Sequence, residues 1–511
     1  MAARSNMTAV TRARPWQAIA AMAVIALLFV AQVAIRWTSE INHDTGWYLY
    51  VAAGLLDGKT LYTDFVEVNP PLSMWLTVPP VAIARLTGLA SDHALYIQQF
   101  LLTAISLLLA ARYLRAIPEL QSAARLVLLC LMAFIMLFAP GPDFGQREHL
   151  MVLLFLPWLL LRMARASGFR PGMPEAALIG IAAAVAVSIK PHSAVAVLMV
   201  EVVLLLRFRS VRLVLAVENL AALAFCIAYL AVIWLWATEF LSVVLPLGVE
   251  AYVPYYGRPA SLLLERSSRT VFIIVITGAL LWLSSRGQRL LPAVLLAAAA
   301  GFLASYFLQA KGYFYHLLPA VAFASFAAAA ACANMLTAKS ETPASPLARM
   351  LPVFMMAVVL FLTWKPQIYF YAGQPFEQAI DRHKPGAKSV FIASTNVFQP
   401  FPMVVKRDLV WASRFPVQWL VPYVSHHWGG TGALPDDSII QTALQSAVSD
   451  LDAYRPDIVF IDRRNGQDYV KNGSFDFLAF YGQDPRFAGI WAGYVKRGET
   501  AGFDVYVAEG G

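Results

Sequence analysis

Charge is what this chain has least of. Only 14% of its 511 residues are Asp, Glu, Lys or Arg, where a soluble domain carries about 25%. Apolar residues take the place of the missing charge, at 59% of the total with a mean hydropathy of +0.61. That excludes an ordinary solvated globule. Cysteine is nearly absent too. Cys130, Cys226 and Cys332 each lie inside apolar runs, which excludes a disulfide framework and leaves them as small core residues. The sequence has no Walker loop, dinucleotide fingerprint, nucleophile elbow or metal-ligand spacing. No cofactor is therefore indicated, and a divalent metal stays open without a ligand set to point to it. The net charge of +8 does not form one basic patch, so a nucleic-acid partner is not expected.

What the chain does have is apolar runs of bilayer-spanning length. They fall at 16–36, 93–112, 123–139, 148–163, 174–189, 191–208, 213–237, 268–285, 290–309, 313–336 and 350–366, about eleven spans. The first is too long for a signal-peptide core and reads as a retained span. A twelfth apolar segment, 69–88, carries Pro79-Pro80 in its middle and Arg85 near its end, and proline breaks a helix interior. If 69–88 does not cross, the groups Arg112/Arg115/Arg125, Arg162/Arg165/Arg170, Arg207/Arg209/Arg212, Arg286/Arg289 and Lys339/Arg349 all fall in cytoplasmic loops, as the positive-inside rule requires. That topology places the N-terminus in the cytoplasm and the C-terminus outside, with 69–88 as a juxtamembrane helix. The expected fold is an α-helical polytopic membrane protein, spanning residues 1–366. Beyond it, residues 367–511 return to soluble composition and read as a small extracytoplasmic α/β domain. Its strands are expected at Ser389–Ala393 and Asp457–Asp462, with a helix from Ser438 to Leu451.

The polar residues able to do chemistry collect in the loops of the outer face. The stretch Ile41–Leu72 holds Asp44, Asp57, Asp64 and Glu67 among Trp47, Tyr48, Tyr50, Tyr62 and Phe65. Asp44 is either a reacting carboxylate or the cap of the helix that follows it. Trp47, Val51 and Leu55 suit a helix lying along the membrane interface, so the aromatics are either substrate contacts or an interfacial belt. Asp57 beside Gly58 reads as turn chemistry. A second group, Asp143 with Arg147, Glu148 and His149, sits between two spans, as do Lys190-Pro191-His192 and the run Gln309 to His316, which includes Lys311, Tyr313 and Tyr315. Cations at the membrane edge are either interfacial anchors or holders of a phosphate.

Three motifs, in this order, carry a resemblance. They are Gly54-Leu55-Leu56-x-Gly58-Lys59-x-x-Tyr62-x-Asp64-Phe65-x-Glu67-x-Asn69-Pro70-Pro71-Leu72, then Asp143-Phe144-Gly145-Gln146-Arg147-Glu148, then Lys311-Gly312-x-x-Tyr315-His316-x-Leu318-Pro319-Ala320. Together they resemble the GT-C superfamily of polyprenyl-phosphate-sugar-dependent glycosyltransferases. The nearest branch is that of protein O-mannosyltransferases and the lipid A aminoarabinose and galacturonic acid transferases. The resemblance spans residues 15–366. It implies a GT-C-type fold and places the family's first-loop acid on Asp44. Many relatives carry Asp-Glu there and this chain has Asp44-Thr45, leaving Glu67 or Asp143 to supply a second carboxylate.

The function so implied is inverting transfer of a sugar from a polyprenyl-phosphate donor to an acceptor hydroxyl of a glycolipid, glycan or protein. Asp44 is the expected catalytic carboxylate, with Asp143 and Glu67 as further candidates. Lys311, His316, Lys190 and Arg147 are the expected donor-phosphate ligands, and Trp47, Tyr48, Glu148, Tyr313 and Tyr315 the substrate contacts. The expected location is a bacterial inner membrane with residues 367–511 in the periplasm. Two alternatives stay open: a transporter or flippase for lipid-linked sugars, and a polymerase or ligase using a diphosphate-linked donor.

Overall fold

The computed structural model describes residues 14–118, 120–284, 289–337 and 346–509. Arg4, Arg12, Arg286 and Lys339, and the side chain of Arg349, lie outside the described residues. The chain divides into two compact units. The first comprises residues up to Ser39, Tyr96–Ala228 and Arg258–Ile368; the second comprises Glu40–Leu95, Tyr229–Gly257 and Tyr369 onward.

The first unit is helical. Each of the eleven expected spans coincides with a helix: Pro15–Thr38, Ser91–Arg115, Ser122–Phe138, Arg147–Ala166, Met173–Ile189, Ala194–Phe208, Val217–Trp236, Ala260–Leu283, Leu290–Gln309, Leu318–Thr337 and Pro346–Thr363. Among the described residues, eight helices are long and apolar enough to cross a membrane. Ser122–Phe138, Met173–Ile189 and Met350–Thr363 are apolar but shorter. Small residues let the helices approach closely, as they do where no water drives association. A Cβ added to Gly180 would lie 1.9 Å from the Glu218 carbonyl oxygen, and one on Gly301 2.4 Å from Ala196 Cα.

Arg162 and Arg165 are more than topology signals. Arg162 is fully buried and binds Glu201 (Nε to Oε1, 2.6 Å) and Glu218 (Nη1 to Oε1, 2.7 Å). Arg165 donates to both oxygens of Glu218 at 2.7 Å. Glu201 and Glu218, both inside expected spans, are thus each neutralised by arginine, which is what makes their burial tolerable.

In the second unit, segment 69–88 is not one helix. It forms Leu72–Trp75 and Val78–Thr87, and ten helical residues rise about 15 Å, half the hydrocarbon thickness. Pro79 and Pro80 lie in the first turn of the second helix, where the missing N–H costs nothing. The C-terminal sheet has five strands, β1 (Ser389–Ala393), β2 (Val410–Trp411), β3 (Ile458–Asp462), β4 (Tyr494–Thr500) and β5 (Phe503–Ala508), in the order β2-β1-β3-β5-β4. β1 pairs in parallel with β2 and β3, while β5 runs antiparallel to both β3 and β4. The expected strands are β1 and β3, and the expected helix is Ser438–Tyr454. Both strands are buried on both faces, as continuous apolar runs in a parallel pair should be.

Residues 40–95 share this unit with the sheet. Helix His43–Leu56 lies against the loop after β1: a Cβ on Gly46 would meet Pro402 Cα at 3.2 Å and Phe401 Cβ at 3.3 Å. Val66 N donates to Arg414 O at 2.7 Å, and Trp411 N to Tyr50 Oη at 3.0 Å. The helix face carrying Trp47 and Val51 therefore packs on protein and not on lipid. Trp47 and Val51 are buried, with the Trp47 ring against Tyr50, Phe65 and Phe401. Its period-four apolar face packs on protein, and periodicity alone does not tell protein from lipid.

Candidate functional site

The predicted residues form one group in each unit. In the first unit they converge where four helices begin or end. Helix Arg147–Ala166 starts with Arg147 and Glu148 in its first turn. Lys190 follows the end of Met173–Ile189, and His192 lies in the single 3-10 turn after it. Gln309 closes Leu290–Gln309, after which Ala310 (φ 52°) and Gly312 (φ 71°) turn the chain sharply and hold Lys311 between them. Arg258 N donates to Ala310 O and Arg266 Nη1 to Gly312 O, both at 2.7 Å, fixing that turn. His316 and Tyr315 belong to the 3-10 turn that opens the next helix.

Glu148, 1% exposed, lies at the centre of the group. It forms an ion pair with Lys190, and His316 Nε2 is 3.7 Å from its Oε1. Lys190 Nζ also donates to Gln309 Oε1 (3.2 Å) and lies 5.8 Å from the centre of the Tyr315 ring. Tyr315 stacks on Tyr313 at 5.4 Å, and both meet His316 edge-on. His316 is within electrostatic reach of Arg147, Lys190, His192 and Lys311. Arg147, Lys190, Lys311 and His316 are all buried. Burial pushes the Lys311 ammonium down to about 7, since desolvation disfavours the charged form. Lys190 thus pairs with Glu148 in a buried setting, with Arg147 and Lys311 in electrostatic reach of His316 beside it.

Asp143 stands apart from that group. Its Oδ2 accepts from Lys365 Nζ at 3.4 Å, and buried Arg36 acts on it electrostatically. Arg36 in turn donates to the Gln367 carbonyl and stacks over Phe144 at 5.5 Å. These bonds anchor the loop that ends at Arg147.

In the second unit Asp44 is not the helix cap. Asn42 is, its side chain accepting from Asp44 N at 2.9 Å. The Asp44 carboxylate retains partial exposure, and its Oδ1 lies 3.4 Å from His43 Nε2. Glu67 has structural bonds: its Oε2 accepts from Trp47 Nε1 (2.7 Å) and its Oε1 from Asn69 N (3.0 Å). Trp47 and Tyr48 are buried. Asp57 caps the helix end and binds Arg85 at 2.8 Å, and Asp64 accepts from Thr60 N at 2.7 Å. Asp57, Asp64 and Glu67 are thus bonded within the stretch itself, while Asp44 Oδ1 faces the His43 ring.

No family model and no curated protein matches this sequence. Solved structures do. The crystal structure of ArnT from Cupriavidus metallidurans bound to undecaprenyl phosphate aligns over 97% of this chain and 98% of that one, at 13% identity and a TM-score of 0.51. The chain has the GT-C fold. The cryo-EM structure of the arabinofuranosyltransferase AftD from Mycobacteria aligns over 98% of this chain at 14% identity and a TM-score of 0.47, and this chain spans 40% of its length.

Sequence reasoning grouped Lys190, Lys311, His316 and Arg147 as the structure does, because each flanks an apolar run on one face. It gave His192 and Gln309 no role, although both were visible beside Lys190 and Lys311. It missed His43 beside Asp44, and nothing in the sequence pointed to Tyr369, whose hydroxyl lies 2.9 Å from His43 Nδ1.

Proposed function

We propose that the protein is a membrane glycosyltransferase that moves a sugar from a polyprenyl-phosphate donor to an acceptor hydroxyl, with inversion at the anomeric carbon. The observation that carries this reading is the buried group of Arg147, Lys190, Lys311 and His316 around Glu148, in a fold shared with a protein that holds undecaprenyl phosphate.

The acceptor oxygen attacks the anomeric carbon as the bond from that carbon to the phosphate oxygen breaks. The electron pair leaves with the polyprenyl phosphate, whose developing charge the cations stabilise. Asp44 takes the acceptor proton as general base. Asp143 and Glu67 are assigned supporting roles, bracing the Arg147 loop and Trp47. Tyr313 and Tyr315 offer faces for the sugar, and Trp47 and Tyr48 act by packing beneath Asp44. With eleven spans, the arginine bias of the loops supports an N-terminus in the cytoplasm and residues 367–511 in the periplasm of an inner membrane.

The test is mass spectrometry of envelope glycolipids, glycans and proteins from cells with and without the gene. Loss of one sugar substituent on deletion is expected, restored by the wild-type gene and not by Asp44→Asn. An unchanged glycan profile sinks the reading. Transfer by the purified protein from a diphosphate-linked donor and not from a monophosphate would make it a polymerase or ligase. Lipid movement without covalent transfer would make it a flippase.

A further inference from the structure

A group of rings in the second unit has no part in the chemistry above. Helix Val421–His427 carries Tyr423, His426 and His427, and the short helix Val253–Tyr256 sets Tyr255 against all three. The ring centres of Tyr423, His426 and His427 lie 5.4, 4.9 and 5.9 Å from that of Tyr255. Tyr423 and His427 stack on each other at 4.0 Å. Both histidines are exposed and both tyrosines half-buried. In the loop that follows, Gly429, Gly430 and Gly432 have open space where side chains would stand.

Hydrogen bonds fix these rings in place. His426 Nδ1 lies 2.8 Å from Pro422 O and His427 Nδ1 2.9 Å from Tyr423 O, each one helical turn back. A carbonyl only accepts, so Nδ1 carries the proton in both neutral rings and Nε2 is left to accept. Tyr423 Oη donates to Asp437 Oδ2 at 2.7 Å, and Tyr255 Oη is 3.5 Å from His427 Nε2. The charged groups acting on the two tyrosines are carboxylates, Asp437 on both and Glu250 on Tyr423. A phosphate or an anionic lipid headgroup would be repelled there. A sugar ring suits the surface: its C–H face lies against the negative face of an aromatic ring, and its hydroxyls both donate and accept. Trp419, just ahead of the helix, ties the group to the stretch that holds Asp44. Its Nε1 is 3.5 Å from Val66 O, its ring meets Tyr252 at 6.0 Å, and Tyr252 stacks on Tyr256 beside Tyr255 at 4.2 Å.

We propose that Tyr255, Tyr423, His426 and His427 form a platform that binds an uncharged sugar unit of the acceptor, so that the acceptor is itself a glycan, free or carried on a lipid or protein. This rests on the glycosyltransferase reading above. The bland alternative is a belt of interfacial tyrosines that anchors the domain.

The two separate in a kinetic assay. Purified protein in nanodiscs receives the polyprenyl-phosphate lipids of a gene-deleted strain as donor. Glycolipid, free-glycan and protein fractions of that strain serve in turn as acceptor, and transfer is followed by mass spectrometry. The fraction that the wild-type protein modifies tells which carrier bears the glycan, and it is then titrated. Tyr255→Ala, and His426→Ala with His427→Ala, should each raise the acceptor KM about tenfold at little cost in kcat. Tyr255→Phe restores the ring face and should bring KM back to within about threefold of wild type. Undecaprenyl phosphate affinity, read by native mass spectrometry, should be the same in all of them. An acceptor KM unmoved in both alanine variants overturns the platform, and a lowered melting temperature alongside that unmoved KM marks the rings as an anchoring belt. Wild-type protein that transfers no sugar to any fraction fails the glycosyltransferase reading itself. Wild-type transfer with unmoved KM in the variants removes only the platform.

Discussion

Replacing Lys190 by methionine asks two questions at once, because Lys190 both neutralises Glu148 and is a proposed phosphate ligand. Methionine keeps the unbranched apolar stem and removes the ammonium. Glu148, 1% exposed, then loses its ion-pair partner, with His316 Nε2 left at 3.7 Å. Breaking a buried pair at one end costs roughly 3–5 kcal/mol, so Lys190→Met should unfold at clearly lower temperature. Lys190→Met/Glu148→Gln removes both charges and should recover most of that stability, since an apolar or neutral pair often matches a buried ionic one. Phosphate affinity should behave differently. A hydrogen bond to a charged group contributes about 1.5–3 kcal/mol, so both variants should bind undecaprenyl phosphate roughly 10–150-fold more weakly. Glu148→Gln alone removes a negative charge beside the phosphate and should tighten binding. Native mass spectrometry titration of purified protein in nanodiscs gives the affinity, and tryptophan fluorescence on heating gives the stability. A folded Lys190→Met that binds with wild-type affinity refutes the phosphate role. So does a double variant that regains affinity together with stability.

The pH dependence follows from Lys311. Its ammonium is held down to about 7 by burial, so undecaprenyl phosphate should bind more weakly as pH rises from 6 through 8, and Lys311→Met should flatten that slope. For stability the sign is opposite: with its folded pKa below the unfolded value of about 10.4, Lys311 makes stability rise with pH between about 7 and 10.4. Gly180→Ala should be severely destabilising, because its Cβ would overlap the Glu218 carbonyl, whereas Gly278→Ala, with nothing within 4 Å, should be neutral by the same thermal assay. Trp47→Phe keeps one aromatic ring and removes the pyrrole ring that carries the donor to Glu67 Oε2. It should cost about 1–3 kcal/mol, with Glu67→Gln less damaging, both read as shifts in melting temperature.

Much of the fold is legible in the chain because a bilayer makes few demands and enforces them strictly. Every backbone polar group in hydrocarbon has to be satisfied within its own helix, so apolar length alone marks the eleven helices. β1 and β3 declare themselves in the same way, as short apolar runs buried on both faces. The buried group of Arg147, Lys190, Lys311 and His316 was also visible, since these are ionisable residues beside spans, where their cost demands a reason.

What the sequence could not supply was which of those residues pair. Glu148 and Lys190 are 42 positions apart, His43 and Tyr369 326, and no local periodicity connects them. Nor could it sort the acids of Ile41–Leu72. Asp44, Asp57, Asp64 and Glu67 look alike along the chain, and only their partners separate them: Arg85 for Asp57, Thr60 N for Asp64, Trp47 and Asn69 for Glu67. Nor could periodicity show that the face of helix His43–Leu56 carrying Trp47 packs on Phe401, Pro402 and Trp411. Apolar length is a property of one segment and survives in the sequence. A carboxylate's role depends on what faces it, and that is settled only when distant segments meet.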